Sequence, residues 1–227
     1  MAELLPCVEV DSGLGPERTH ASVIWLHGLG ADGHDFEPVV PLLRTSGVRF
    51  VFPHAPVQAV TINGGMEMRA WYDIRSFDFD DDAREDPAQI DASMHLVRAL
   101  LERERSRGLA SDRIVLAGFS QGAALAVHTA MRHDQPLGGL IVLSGYLVQS
   151  KRLETQRHAA TRDVPVLACH GKHDDVVPIA AGRSCRDALV RTASESAQLE
   201  WHEYPMGHEV CPDELERVGA WLRARWV

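Results

Sequence analysis

The segment Gly118-Phe119-Ser120-Gln121-Gly122 is the part of this chain best suited to chemistry. A serine with glycines two places before and two after it fits a sharp, strained turn where bulkier neighbours would clash. The apolar run Ile114-Val115-Leu116-Ala117 leads into it, and helix-forming residues from Ala123 to Met131 follow. Strand, glycine turn and helix in that order make a nucleophile elbow. The hydroxyl then stands at the carboxyl edge of a sheet, beside a helix N-terminus whose free N–H groups stabilise negative charge. The pentapeptide is short, and its placement between a strand and a helix carries the reading.

A serine hydroxyl is a weak nucleophile until a base takes its proton. In an elbow of this kind the partners follow in the order serine, acid, histidine. His202 and His208 are the two histidines late enough and near a strand. His202 falls inside Leu199 to Tyr204 and would be fixed in that strand, whereas His208 comes after Pro205 and Gly207 in a loop that can reach the elbow. His208 is therefore the expected base. The acid should lie in His170-Gly171-Lys172-His173-Asp174-Asp175, after the preceding strand. Spacing does not separate Asp174 from Asp175. One would orient the imidazole, and the other would cap the helix that starts near Pro178. His170 and His173 form a lone H-x-x-H, too sparse a set for a metal site, so no metal is expected.

His27-Gly28-Leu29-Gly30 follows the apolar run Val23 to Leu26, where this architecture supplies its second oxyanion donor. The Leu29 and Gln121 amides are the expected pair. Met66, Met68, Trp71, Leu29 and Val177 are candidates to line an acyl pocket, with core packing as the plain alternative for each.

The elements that must position these residues alternate. Apolar runs at Val23–Leu26, Val48–Phe52, Ile114–Ala117, Leu140–Leu143, Val164–Cys169 and Leu199–Tyr204 read as strands. Asp86 to Arg107 reads as a helix with Asp86 as N-cap, Pro87 at the first position and Ile90, Met94, Val97 and Leu101 on one face. Further helices are expected over Pro178–Arg191 and Glu214–Arg225. Strands alternating with helices argue for a mostly parallel sheet covered on both faces. The stretch from Pro56 to Glu85 breaks the alternation and reads as a long functional loop, too short for a lid domain. Its acidic part, Phe77 to Asp82, reads as a solvated loop rather than a cation site, and if it flanks the cleft it would disfavour polyanionic substrates.

With 227 residues, 45% of them hydrophobic and 24% charged, the chain suits a single domain spanning residues 1–227. A net charge of −9 and a pI near 5.7 argue against nucleic acid and anionic membrane as partners. No leader pattern and no long apolar run occurs, and the four cysteines lack CxxC spacing. A cytoplasmic protein with reduced thiols is expected.

Five segments occur in a telling order: Leu26-His27-Gly28-Leu29-Gly30, Trp71-Tyr72-Asp73-Ile74, Gly118 to Gly122, His170-Gly171 with Asp174, and Met206-Gly207-His208. Together they resemble the phospholipase/carboxylesterase family, which includes bacterial carboxylesterases and acyl-protein thioesterases. The resemblance runs from about residue 21 to the C-terminus. It implies an α/β-hydrolase fold with little or no lid, Asp174 rather than Asp175 as the acid, Leu29 and Gln121 as oxyanion donors, no metal or organic cofactor, and weak dimers. It also adds weight to Trp71. One departure is Ala123, where the family elbow usually has a second glycine.

The expected activity is hydrolysis of short- to medium-chain soluble acyl esters through Ser120, His208 and Asp174. Within the same chemistry the alternatives are an acyl-protein thioesterase or a lysophospholipase. A silent hydrolase-fold binding protein is a rival of another class, against which the complete set of three residues argues. A lactone hydrolase of related fold would usually carry cysteine at the elbow.

Overall fold

The inner strands are buried throughout, save for Phe119 at the end of one, which requires helices on both faces of the sheet. The structure, a computed structural model, describes residues 4–13, 18–79, 81 and 83–226. Its main sheet is built from β1 (Cys7–Asp11), β2 (Ala21–Leu26), β3 (Val48–Pro53), β6 (Ile114–Phe119), β7 (Gly139–Leu143), β8 (Val166–Gly171) and β9 (Leu199–Tyr204). They lie in the order β1-β3-β2-β6-β7-β8-β9. Only β1 runs antiparallel to its neighbour. The edge strands β1 and β9 are the partly exposed ones.

Alternation along each strand divides the core in two. Ile24 and Leu26 of β2 face α2 (Pro87–Ser106), α3 (Gln121–Met131) and α5 (Ile179–Thr192), joining Val97, Leu125 and Leu189. Val23 and Trp25 face α1 (Val40–Leu43) and α6 (Pro212–Arg225), joining Leu43, Val218 and Trp221. A short α4 (Ser150–Gln156) packs beside α3 and α5. This is the mostly parallel, doubly covered sheet of an α/β-hydrolase, and no separate lid accompanies it among the described residues. In the same residues no helix is long and apolar enough to cross a membrane.

Three features differ from the sequence reading. β1 was not anticipated: its five residues carry Glu9 and Asp11, and its place is set by pairing with β3 and by ion pairs of Glu9 with Arg103 on α2 and Arg107 just past its end. The stretch expected as a long loop contains a hairpin, β4 (Val57–Val60) and β5 (Met66–Arg69), whose turn uses Gly64 and Gly65 at φ 68° and 78°. α3 begins at Gln121, two residues earlier than helix propensity suggested. Asp86 caps α2 as expected, accepting from the Ala88 and Gln89 amides.

The chain adds β3 on one side of β2 and later β6 on the other, so the order switches between β2 and β6. Loops leaving the carboxyl ends of strands diverge there, which makes the crevice where open α/β sheets bind ligands.

Glu214, in the first turn of α6, is fully buried, and among the described residues neither carboxylate oxygen has a hydrogen-bond partner. Burial pushes its pKa up to about 8, against a small opposing effect of the Cys211 amide. Between the ordinary value and about 8 the folded chain holds a proton that the unfolded chain has lost, so stability falls as pH rises through that window. Glu214→Gln should remove this loss. Its Tm should exceed that of the wild type at pH 8 by several degrees, at about 2–4 °C per kcal/mol for a chain this size, and match it near pH 4.5. Parallel thermal melts across the range check this.

Candidate active site

Four loops at the carboxyl ends of β2, β6, β8 and β9 meet at this crevice. Ser120 stands between β6 and α3 at φ 54°, ψ −120°, a strained conformation for a residue with a side chain. Its backbone N–H is spent on Leu143 O at 2.9 Å. The flanking glycines are required by close approach. A Cβ on Gly122 would lie 2.3 Å from Leu26 O, and one on Gly118 2.5 Å from the Ala123 nitrogen.

His208 Nε2 lies 2.9 Å from Ser120 Oγ, and its Nδ1 lies 2.7 Å from Asp174 Oδ2. A carboxylate only accepts, so Nδ1 carries the ring proton and Nε2 is free to accept from the serine. The other Asp174 oxygen accepts from the Val176 and Val177 amides at 3.0 and 2.8 Å. Burial works to raise the Asp174 carboxyl, but the bonds from His208 and from these amides outweigh it and hold it below the ordinary aspartate value. Asp174 thus orients the imidazole and shapes its own loop. The expectation that a second aspartate would cap α5 does not hold, since that helix starts from Pro178 with no side-chain cap. His202 lies in β9, with its ring 3.4 Å from Glu200. His170 Nε2 is 2.8 Å from Val177 O, so its ring braces the same loop as Asp174.

The neighbouring amides are arranged for an anion. Ala124 N–H to Ser120 O is the first bond of α3, so the Gln121 amide lies ahead of the hydrogen-bonded ladder. In the loop after β2, Gly30 N–H goes to Arg69 O and Ala31 N–H to Gly28 O, while the Leu29 amide has no acceptor among the described residues. Both residues line the cleft that contains Ser120 and His208. Its volume is about 320 Å³, and its walls include Ile62, Ile74, Phe77, Tyr146, Val176 and Val177.

Trp71 and Met66 fall outside this cleft. Trp71 is buried behind the His27–Gly30 loop: its indole N–H donates to His27 O and its backbone N–H to Gln121 Oε1, both at 2.9 Å. Gln121 Nε2 completes the bridge to Tyr72 O at 2.8 Å. An indole needs a partner when buried, and here the partner is the carbonyl next to the oxyanion loop. Met66 is 64% exposed at the start of β5, where the hairpin leaves the body of the protein. Met68 is drawn toward Gly30 and Asn63 and supports the loop from outside.

Sequence reading missed Tyr146, Ile74, Ile62 and Phe77 as wall residues. It also missed Arg84, whose guanidinium lies 3.9 Å from the Phe79 ring centre and 4.5 Å from that of Tyr146 and pairs with Glu85 at 2.6 Å. No periodic signal marks residues that meet only through long loops. Asp80 and Asp82 of the acidic stretch lie outside the described residues.

The phospholipase/carboxylesterase family matches residues 6–225, and the chain belongs to it, a family of serine hydrolases. An acyl-protein thioesterase 1 from Cryptococcus neoformans var. neoformans serotype D is 34% identical over 224 residues, 92% of this chain and 94% of that one. An acyl-protein thioesterase 1 from Gibberella zeae is 36% identical over 213 residues, 89% of each chain. The crystal structure of acyl-protein thioesterase 2 from Zea mays superposes with a TM-score of 0.84 at 28% identity, covering 97% of this chain and 98% of that one.

Trp71→Phe keeps the ring and removes the bond to His27 O. Labelling of Ser120 by a serine-directed phosphonate is expected to slow about tenfold, because a small displacement of an oxyanion donor is costly in rate. Labelling rates with a parallel melting curve check this, and an unchanged rate would free Trp71 from a positioning role.

Proposed function

We propose that this protein hydrolyses acyl esters and thioesters by two-step acyl transfer, with Ser120 as nucleophile, His208 as general base and acid, and Asp174 as the orienting acid. The observation that carries the reading is the continuous hydrogen-bonded line from Ser120 through His208 to Asp174 inside a partly apolar cleft. His208 Nε2 takes the serine proton as Oγ attacks the carbonyl carbon. Asp174 stabilises the imidazolium that forms. The Leu29 and Gln121 amides receive the oxyanion, where each donor is worth about a hundred- to a thousandfold in rate. The leaving oxygen or sulfur then takes the proton from His208. Water, activated by the same nitrogen, releases the acid from Ser120. No step calls for a metal or organic cofactor.

Shape bears on the acyl group. The cleft is lined largely by apolar side chains, which suits an acyl chain of short or medium length. The names of the similar thioesterases favour a sulfur ester, and with it the acyl-protein thioesterase reading over soluble oxygen esters. The three reacting side chains serve either leaving atom.

Ser120→Ala should lower kcat by several orders of magnitude, up to roughly a millionfold, and abolish phosphonate labelling. A panel of aryl esters, acyl thioesters and lysophospholipids of graded chain length measures preference. Retained turnover in the alanine variant would remove Ser120 from the chemistry, and failure of the wild type to react with the phosphonate would favour a silent binding protein.

A further inference from the structure

Asp35 lines the same cleft as Ser120 and His208, yet no step above uses it. It is exposed in the loop after β2, and among the described residues its carboxylate has no ion pair and no side-chain hydrogen bond. Burial, and then the neighbouring Asp32, raise its carboxyl above the ordinary aspartate value, as expected for a carboxylate without a cation beside it. Asp32 accepts from the His34 amide at 2.8 Å, and the His34 ring is committed to Glu37 at 2.8 Å. Residues 31–37 contain no lysine or arginine.

The packing of this loop fixes which part of a substrate it faces. Phe36 lies against Phe119 with ring centres 5.8 Å apart, and Phe119 lies against His208 at 4.8 Å. Asp35 precedes Phe36 in the loop that packs toward the imidazole through Phe119, whereas Ile74, Arg84 and Tyr146 come from other loops. The leaving group takes its proton from His208, so it departs on the imidazole side.

Resting on the esterase reading, we propose that Asp35 is a specificity-determining residue for the leaving group. It favours alcohols or thiols that carry an ammonium or similar cation near the scissile bond and disfavours anionic ones. The site is partly solvated, so the preference should be modest, roughly two- to fivefold, and should shrink as salt is added.

The test compares kcat/KM for three butyryl esters: choline, its uncharged isostere 3,3-dimethylbutanol, and the anionic 2-hydroxyethanesulfonate. The wild type should favour choline over the isostere roughly two- to fivefold and disfavour the sulfonate. Asp35→Asn should bring both ratios close to one, Asp35→Glu should keep them, and Asp35→Lys should reverse them. The same ratios in wild type and all variants would overturn the proposal while leaving the esterase reading intact. No turnover of the uncharged ester by the wild type would remove both.

Discussion

The close approach of α3 to the end of β2 is the constraint on which the site depends. Gly122 lets the helix backbone rest against the carbonyls of Leu26 and His27, where a single methyl group would stand 2.3 and 2.4 Å from them. That contact sets the N-terminus of α3 beside the loop His27–Gly30, so that amides from two separate elements face one cleft. It also holds Ser120 at its positive φ, because the turn has no room to relax. Preorganisation of this kind spares the protein from moving dipoles during a reaction.

Buried polar groups extend the constraint outward. His27 accepts from the Ala55 amide at one ring nitrogen and lies 2.7 Å from Gly28 O at the other. Burial keeps its pKa low, with the Gly28 bond opposing, which fits a neutral ring making both contacts. Trp71 and Gln121 join the oxyanion loop to the elbow, and Ser93 of α2 reaches back to Trp71 O. Asp73 anchors the start of the β4–β5 turn through the Thr61 amide and hydroxyl, both at 2.7 Å, while its own N–H goes to Gln89 at 2.6 Å. Satisfied networks of this sort specify one arrangement, because leaving any member unpaired in a dry site is costly.

The cleft wall beyond Trp71 is held differently. Arg84 lies over Phe79 and Tyr146, donates to Ser76 O at 3.1 Å and pairs with Glu85. Tyr146 in turn shares its hydroxyl with Tyr72 at 2.7 Å. A cation stacked on aromatic faces fastens a loop that has little apolar content of its own. Together these contacts give an irregular segment a fixed inner surface while Phe77 remains exposed at the mouth.

By itself, the sequence determined the strand–helix alternation, the elbow and the chain order of Ser120, Asp174 and His208. Those features leave local signals: continuous apolar runs, glycines at fixed offsets from the serine, and turn residues between elements. Residue spacing leaves Asp174 and Asp175 tied; the family resemblance implies Asp174, and it is Asp174 Oδ2 that lies 2.7 Å from His208 Nδ1. Only the tertiary structure decided that Trp71 is buried against the His27–Gly30 loop, that Met66 is exposed, and that Ile74, Tyr146 and Arg84 line the cleft. An apolar or aromatic residue in a long connection carries no period to say which side it faces. Its environment is set by elements distant in the chain, such as α2 and the β7–α4 loop, that meet it only when the sheet is assembled.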